Sequence, residues 1–184
     1  MKPIVLDRDG VINIDSDDYI KSAEEWVPIA GSIEAIAVLS QAGFDIFVAT
    51  NQSGVGRGLF TLNDLQKMHA KFTRLVTQAG GKAVEIFYCP HTPLDNCDCR
   101  KPKTGLLTQI EANFDCKLNG AYFIGDSVRD IQAAASFGCK PILVKTGKGE
   151  LAILKLAKLG LSDFMVFDDL ASAAIFITNV DANE

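Results

Sequence analysis

No run of apolar residues in this sequence approaches the ~18 that a membrane-spanning helix needs. The N-terminus opens on a strand pattern, with neither the basic region nor the apolar centre of a secretory signal. Arginine-rich runs are missing as well, and the net charge is −5, so there is no general attraction to nucleic acid or to an anionic membrane. An anionic substrate would need a local pocket of positive charge. Internal repeats and low-complexity stretches are absent, and no boundary splits 1–184. We therefore expect one domain, working as a monomer in the cytoplasm. A disulfide framework is disfavoured too, because the five cysteines are odd in number and three of them crowd between positions 89 and 99.

What is present is an ordinary folding composition: 184 residues, 48% hydrophobic and 22% charged, enough to bury a real core. The chain is organised around Ile4 to Asn13, read Ile-Val-Leu-Asp-Arg-Asp-Gly-Val-Ile-Asn. Apolar β-formers run straight into Asp7, and Asp9 follows just before a glycine. In an open α/β sheet, ligands bind where strands end, so both carboxylates stand where a site belongs. They share one face if extended geometry lasts that far. Taken alone, the same residues also read as a turn at Asp9-Gly10 with Asp7 capping a helix.

Beyond them, Ile14 to Pro28 has no period and holds the only tryptophan, Trp26, so it reads as an irregular flap over the end of the first strand. Ser32 is placed to cap a helix through Leu39 that Gly43 stops. A strand over Phe44 to Thr50 follows, then a polar stretch, Asn51 to Phe60, with no element of its own. Thr61 and Asp64 form a capping box ahead of a helical face that includes Leu65, Met68, Phe72 and Val76. Further strands are expected over 83–89, 121–124, 141–144 and 164–167, with helices over 106–114, 128–137, 150–159 and 170–178. That alternation implies right-handed crossovers and an open parallel sheet with helices on both faces, a Rossmann-like three-layer α/β sandwich. Cys139, beside an apolar stretch, reads as a buried inert thiol.

Polar groups cluster at strand ends: Asp7 and Asp9, then Thr50-Asn51-Gln52-Ser53, then Gly125-Asp126-Ser127 with Asp130 behind, and Arg100-Lys101 in the loop after the third strand. If the first and fourth strands are neighbours, Asp7 and Asp126 make an oxygen-rich pair suited to Mg²⁺. On its own, Asp126 also reads as a helix cap. A magnesium ion, Lys101 and the Thr50 hydroxyl would together serve a phosphoryl group. Asp7 can then act as nucleophile, and Asp9 can protonate the leaving oxygen and later activate water.

Cys89, His91, Cys97 and Cys99 offer three thiolates and an imidazole within one loop, an accepted tetrahedral set for structural Zn²⁺. Unpaired thiols or a Cys97/Cys99 disulfide are the alternatives. Arg100 and Lys101 leave the last ligand directly, so a zinc-binding loop over 89–104 would fix the backbone that carries both cations.

Taken in order, Asp7-x-Asp9-Gly10, Thr50-Asn51, Lys101 and Gly125-Asp126-x-x-x-Asp130 resemble the motifs of the haloacid dehalogenase-like phosphatases. The resemblance spans most of the chain. It implies magnesium on Asp7, Asp126 and the backbone carbonyl of Asp9, with Asp130 standing just behind, and a first strand lying between the second and the fourth. The Cys-Pro-His…Cys-x-Cys-Arg-Lys-Pro loop narrows it to the histidinol-phosphate and heptose-bisphosphate phosphatases. These are capless, so the flap, the zinc loop and Asn51 to Phe60 would shape the pocket. Asn51, Gln52, Ser53, Arg57, Arg100 and Ser127 would meet a small phosphorylated substrate there. Thr50-Asn51-Gln52-Ser53-Gly54 and Val144-Lys145-Thr146-Gly147 lie nearer the heptose side, which implies a sugar bisphosphate and a place in lipopolysaccharide precursor synthesis. Two departures weaken that substrate assignment: the zinc loop is short, as in the histidinol branch, and Ser127 stands where heptose enzymes often carry lysine. A protein that binds phosphate without turnover remains a third reading, opposed by the complete set of Asp7, Asp9, Thr50, Lys101 and Asp126.

Overall fold

The structure, a computed structural model, describes residues 1–182. Its framework is six parallel strands: β1 (Lys2–Leu6), β2 (Phe44–Asn51), β3 (Glu85–Cys89), β4 (Tyr122–Gly125), β5 (Lys140–Val144) and β6 (Met165–Phe167). They lie in the order β3-β2-β1-β4-β5-β6. The chain builds outward from β1 on one side, then returns to lay β4 along the other side of β1. The crevice between the C-terminal ends of β1 and β4 is thus the topological switch point. Both neighbours of the first strand are as expected.

Alternation along the strands sorts the core into two layers. Ile4, Leu6, Ile46, Val48, Ile124 and Ile142 face one side and pack with residues of α1 (Ser32–Gln41), α3 (Leu62–Gln78) and α7 (Leu170–Asp181). Val5, Phe47, Ala49 and Phe123 face the other, against Leu106, Leu107 and Ile110 of α4 (Gly105–Phe114) and Ala133 and Ala134 of α5 (Val128–Phe137). α6 (Gly149–Lys158) covers β5 through Ala152 and Leu156, which pack with Leu143. Cys139 is buried, and burial pushes its thiol up to about 12. No helix of the described residues is long and apolar enough to cross a membrane.

Local signals decide several details. The Thr61 capping box forms: the Thr61 N–H donates to Asp64 Oδ2 at 3.0 Å and the Asp64 N–H to Thr61 Oγ1 at 3.1 Å. The cap of α1 is Gly31, at φ 80°, and not Ser32. Ser32 Oγ instead donates to the Ile12 carbonyl at 2.6 Å, because the chain must enter this helix beside the returning first loop. The stretch expected to hold no element contains one turn of helix, α2 (Ser53–Gly56), too short to leave a period in the sequence. The flap is irregular, as expected, but firmly held. Trp26 is buried against Phe72 of α3, with ring centroids 5.8 Å apart. Lys71 of α3 donates to the carbonyls of Ala23 and Trp26, each at 2.7 Å.

Candidate active site

The β1 ladder ends at Leu6, and Asp7 continues the pairing only through its N–H, which donates to the Ile124 carbonyl at 2.9 Å. Beyond Asp9 the chain turns, with the Arg8 carbonyl accepting from the Ile12 N–H at 2.8 Å. Both carboxylates therefore reach one cavity from this bend, and not from a continued extended strand. Gly10 completes the turn at φ 82°, and any side chain there would collide with the Asp126 carboxylate.

Lys101 organises the floor. Its ammonium is 2.9 Å from Asp7 Oδ1 and 2.6 Å from Asp130 Oδ1, and the residue is only 2% exposed. The other oxygen of Asp130 accepts from the Ser127 N–H at 3.1 Å and Oγ at 2.6 Å. Ser127 is thus the cap of α5, which leaves Asp126 free of that role. Asp126 Oδ2 accepts from the Lys148 N–H at 2.8 Å. Ligand atoms of Asp7, Asp126 and Asp130 all lie within 4.8 Å of one another. Burial, with the charge of Asp130 next, pushes Asp7 up to about 7 and Asp126 up to about 8. Such carboxylates hold protons near neutral pH unless a cation takes their place. With all-oxygen donors the group fits Mg²⁺, and both oxygens of Asp130 are already engaged, so Asp7 and Asp126 are the pair left to hold it.

This has a measurable consequence. A carboxylate whose folded pKa lies above its unfolded value stabilises the fold at low pH, and that contribution is lost as pH rises through the folded pKa. The metal-free protein should therefore lose melting temperature between about pH 4 and pH 8, and saturating magnesium should flatten the decline. Melting curves across that range with and without magnesium check it. A metal-free protein that gains stability toward pH 8 would contradict the arrangement.

Asp9 is held differently. Arg8, 1% exposed, donates from Nη2 to both of its oxygens at 2.8 and 3.0 Å. Asn13 Nδ2 adds a bond at 2.9 Å and Gln52 Nε2 one at 2.8 Å. Burial alone would raise this carboxyl, but the Arg8 charge and these bonds hold it below its ordinary value. Gln52 also donates to Thr50 Oγ1 at 2.9 Å, so it braces Thr50 and Asp9 together. Asn51 grips the Lys101 backbone: its Nδ2 donates to the Lys101 carbonyl and its Oδ1 accepts the Lys101 N–H, both at 3.1 Å. Asp7, Asp9, Thr50, Asn51, Gln52, Ser53, Arg57, Arg100, Lys101, Asp126, Ser127 and Asp130 all line one cavity of about 330 Å³. Arg100 turns away from the floor, donating to the His91 carbonyl at 3.3 Å. A larger concavity, about 1230 Å³, runs alongside between the flap and α6 and holds none of the four carboxylates Asp7, Asp9, Asp126 and Asp130.

At the edge of this cavity lies the Cys/His loop. Cys89 Sγ is 3.5 Å from Cys97 Sγ and 3.7 Å from His91 Nδ1, and Cys99 Sγ is 3.3 Å from His91 Nδ1 and 3.5 Å from Cys97 Sγ. All five cysteines are free thiols, so Cys97 and Cys99 form no disulfide. A tetrahedron with bonds of about 2.3 Å to sulfur and about 2.0 Å to nitrogen has ligand-to-ligand edges of roughly 3.4–3.8 Å, so the four donors fit zinc.

Sequence reasoning missed Arg8, Asn13, Lys148 and Arg129, which hold or line the site. Lys148 acts on Asp126 through its backbone N–H, which every residue but proline carries, so no side-chain pattern could reveal it. Its side chain meets Asp15 at 3.1 Å and Asp17 at 3.2 Å. The acidity of the flap was the available signal for that pairing.

Residues 98–173 match the HAD-hydrolase-like family. The chain is 54% identical over 171 residues to a Pseudomonas aeruginosa D-glycero-beta-D-manno-heptose-1,7-bisphosphate 7-phosphatase, covering 93% of this chain and 94% of that one. To the Neisseria meningitidis serogroup A protein of the same name it is 48% identical, covering 99% and 97%. Among solved structures, the D,D-heptose 1,7-bisphosphate phosphatase of B. bronchiseptica, complexed with magnesium and phosphate, superposes with a TM-score of 0.92. It is 47% identical, with 98% of this chain and 99% of that chain covered.

Proposed function

Because this chain belongs to the HAD-like phosphatases, we propose that it removes the 7-phosphate of D-glycero-D-manno-heptose 1,7-bisphosphate through an aspartyl phosphate on Asp7. The observation that carries the mechanism is the buried Lys101 ammonium held between Asp7 and Asp130 at the switch point. Lys101 keeps its proton there: burial would lower it, but the charges of Asp130 and Asp7 raise it. It therefore presents a fixed positive charge to the phosphoryl oxygens, beside the Thr50 hydroxyl.

Asp7 attacks phosphorus, and Asp9 gives a proton to the departing sugar oxygen. Asp9 then takes a proton from the water that hydrolyses the acyl phosphate, which restores its starting state. The donors on Asp9 favour its anionic form, suited to the second step. A dianionic phosphoryl group arriving beside it raises its proton affinity for the first. Asp7, Asp126 and the Asp9 carbonyl would hold magnesium, which would supply charge neutralisation on the transferring group. Zinc on Cys89, His91, Cys97 and Cys99 would fix the loop, and Asn51 passes that rigidity to Lys101. Residues 1–184 would act as one phosphatase domain and as a monomer, and the five free thiols suit a reducing compartment such as the cytoplasm.

The direct test is phosphate release from both heptose bisphosphate anomers and from histidinol phosphate, the competing substrate whose branch shares the short zinc loop. Preference for histidinol phosphate would reverse the substrate assignment, and no release from any substrate would favour the silent phosphate binder. On the bisphosphate, Arg100→Ala should raise KM roughly tenfold with little change in kcat, since a guanidinium on the untransferred phosphate contributes equally to ground and transition states. Equal losses on a monophosphate would reject that role for Arg100.

A further inference from the structure

Six cationic side chains line the 330 Å³ cavity. Arg8 is matched by Asp9, Lys101 by Asp7 and Asp130, and Lys148 by Asp15 and Asp17. Among the described residues, Arg57, Arg100 and Arg129 have no carboxylate partner, and the one side-chain hydrogen bond of the three runs from Arg100 to the His91 carbonyl. Arg129 is exposed, and its side chain makes no hydrogen bond among the described residues. It also occupies the first turn of α5, where a helix favours negative charge and a cation is of the wrong sign. Neither packing nor pairing accounts for an arginine in that place.

Its position relative to Arg100 does. The two leave different strand ends, β4 and the loop after β3, and converge on one cavity. Both guanidiniums line this one cavity and neither has a carboxylate partner, so their like charges face one opening. Two unpaired guanidiniums beside a phosphoryl site suit an anion between them. The anion being transferred belongs on the floor, with Lys101 and Thr50.

We infer that Arg129 grips the phosphate that is not transferred, opposite Arg100, and so sets the preference for a bisphosphate. This rests on the bisphosphate reading above. The two guanidiniums form a planar clamp in which each offers paired donors to phosphate oxygens. Arg129 thereby supplies from the first turn of α5 the cation that Ser127, used up as a cap, does not.

The test uses the product, which carries the untransferred phosphate alone, so its inhibition constant reads the opening of the cavity without the chemistry. For Arg129→Ala, binding of the sugar 1-phosphate should weaken roughly tenfold, and KM for the bisphosphate should rise to match. The kcat should stay within about twofold, and a sugar 7-phosphate lacking the second phosphate should be turned over as before. Arg129→Lys should recover part of the loss, keeping the charge without the paired donors. Removing Arg100 and Arg129 together should cost less than the product of the two single losses, because both grip one group. An unchanged inhibition constant in Arg129→Ala, or equal losses on both substrates, would overturn the assignment. A wild-type enzyme indifferent to the second phosphate would overturn the bisphosphate reading, and the inference with it.

Discussion

Asp7→Asn should give a folded protein that releases phosphate at least about a thousandfold more slowly, a loss of roughly 4 kcal/mol in transition-state stabilisation. An amide has nearly the shape of the carboxylate but is not the anionic nucleophile that an acyl phosphate requires. The substitution should not weaken the fold. Asp7 sits where burial and Asp130 push it up to about 7, so its negative charge is disfavoured in the metal-free state. Taking that charge away relieves Asp126, which Asp7 also pushes up. Without magnesium at pH 8, Asp7→Asn should therefore melt at the same temperature as the wild type or higher. Phosphate release and melting curves on the same preparation decide it. Near-normal turnover would end the covalent mechanism, whereas a large loss of melting temperature would show that Asp7 holds the fold together.

Loss of zinc should damage both stability and activity. Cys89 is fully buried at the end of β3, and the other three ligands come from a loop with no core of its own. In Cys89→Ser, zinc binding should fail and residues 90–104 should lose their hydrogen-exchange protection. A stability loss of about 3 kcal/mol corresponds to a fall of roughly 6–12 °C for a domain of this size. Activity should fall with it and should not return on adding magnesium, because Lys101 sits at the end of the freed loop. Metal analysis of reduced wild-type protein provides the control. If that protein holds no zinc, the four donors are not a zinc site.

How far the sequence carried these conclusions depended on the kind of interaction. β1, β2 and β4 were legible because buried strands are short apolar runs, and their ends because Asp7, Thr50 and Asp126 follow those runs directly. The Cys/His cluster was legible because a tetrahedral metal site draws on few residue types within one loop. Ser32 was misread as a cap because the rule for caps is statistical, and a glycine one residue earlier could take the left-handed conformation that the entry to α1 requires. The brace around Asp9 was invisible for another reason. Arg8 and Asn13 bend back onto Asp9 only through the irregular turn after β1, and Gln52 reaches it only once β2 has paired with β1; neither spacing nor period records those approaches. Arg129 was hidden for the same reason, since only the folded chain reveals which cations lack partners.

The two hydrogen bonds from Asn51 to the Lys101 backbone have a further consequence for how such an enzyme can change over evolutionary time. They anchor the loop at its Lys101 end, while Cys89 anchors it at its origin in β3. Between those anchors the tip, Pro93 to Asn96, is exposed, and Leu94 is 94% exposed. Pro93 nonetheless lines the cavity. Insertions or deletions at the tip would therefore remodel the entrance while leaving the reacting groups where the sheet has put them. Loop length becomes a variable that selection can adjust separately from catalysis, so new substrates could be acquired without rebuilding the machinery that turns them over.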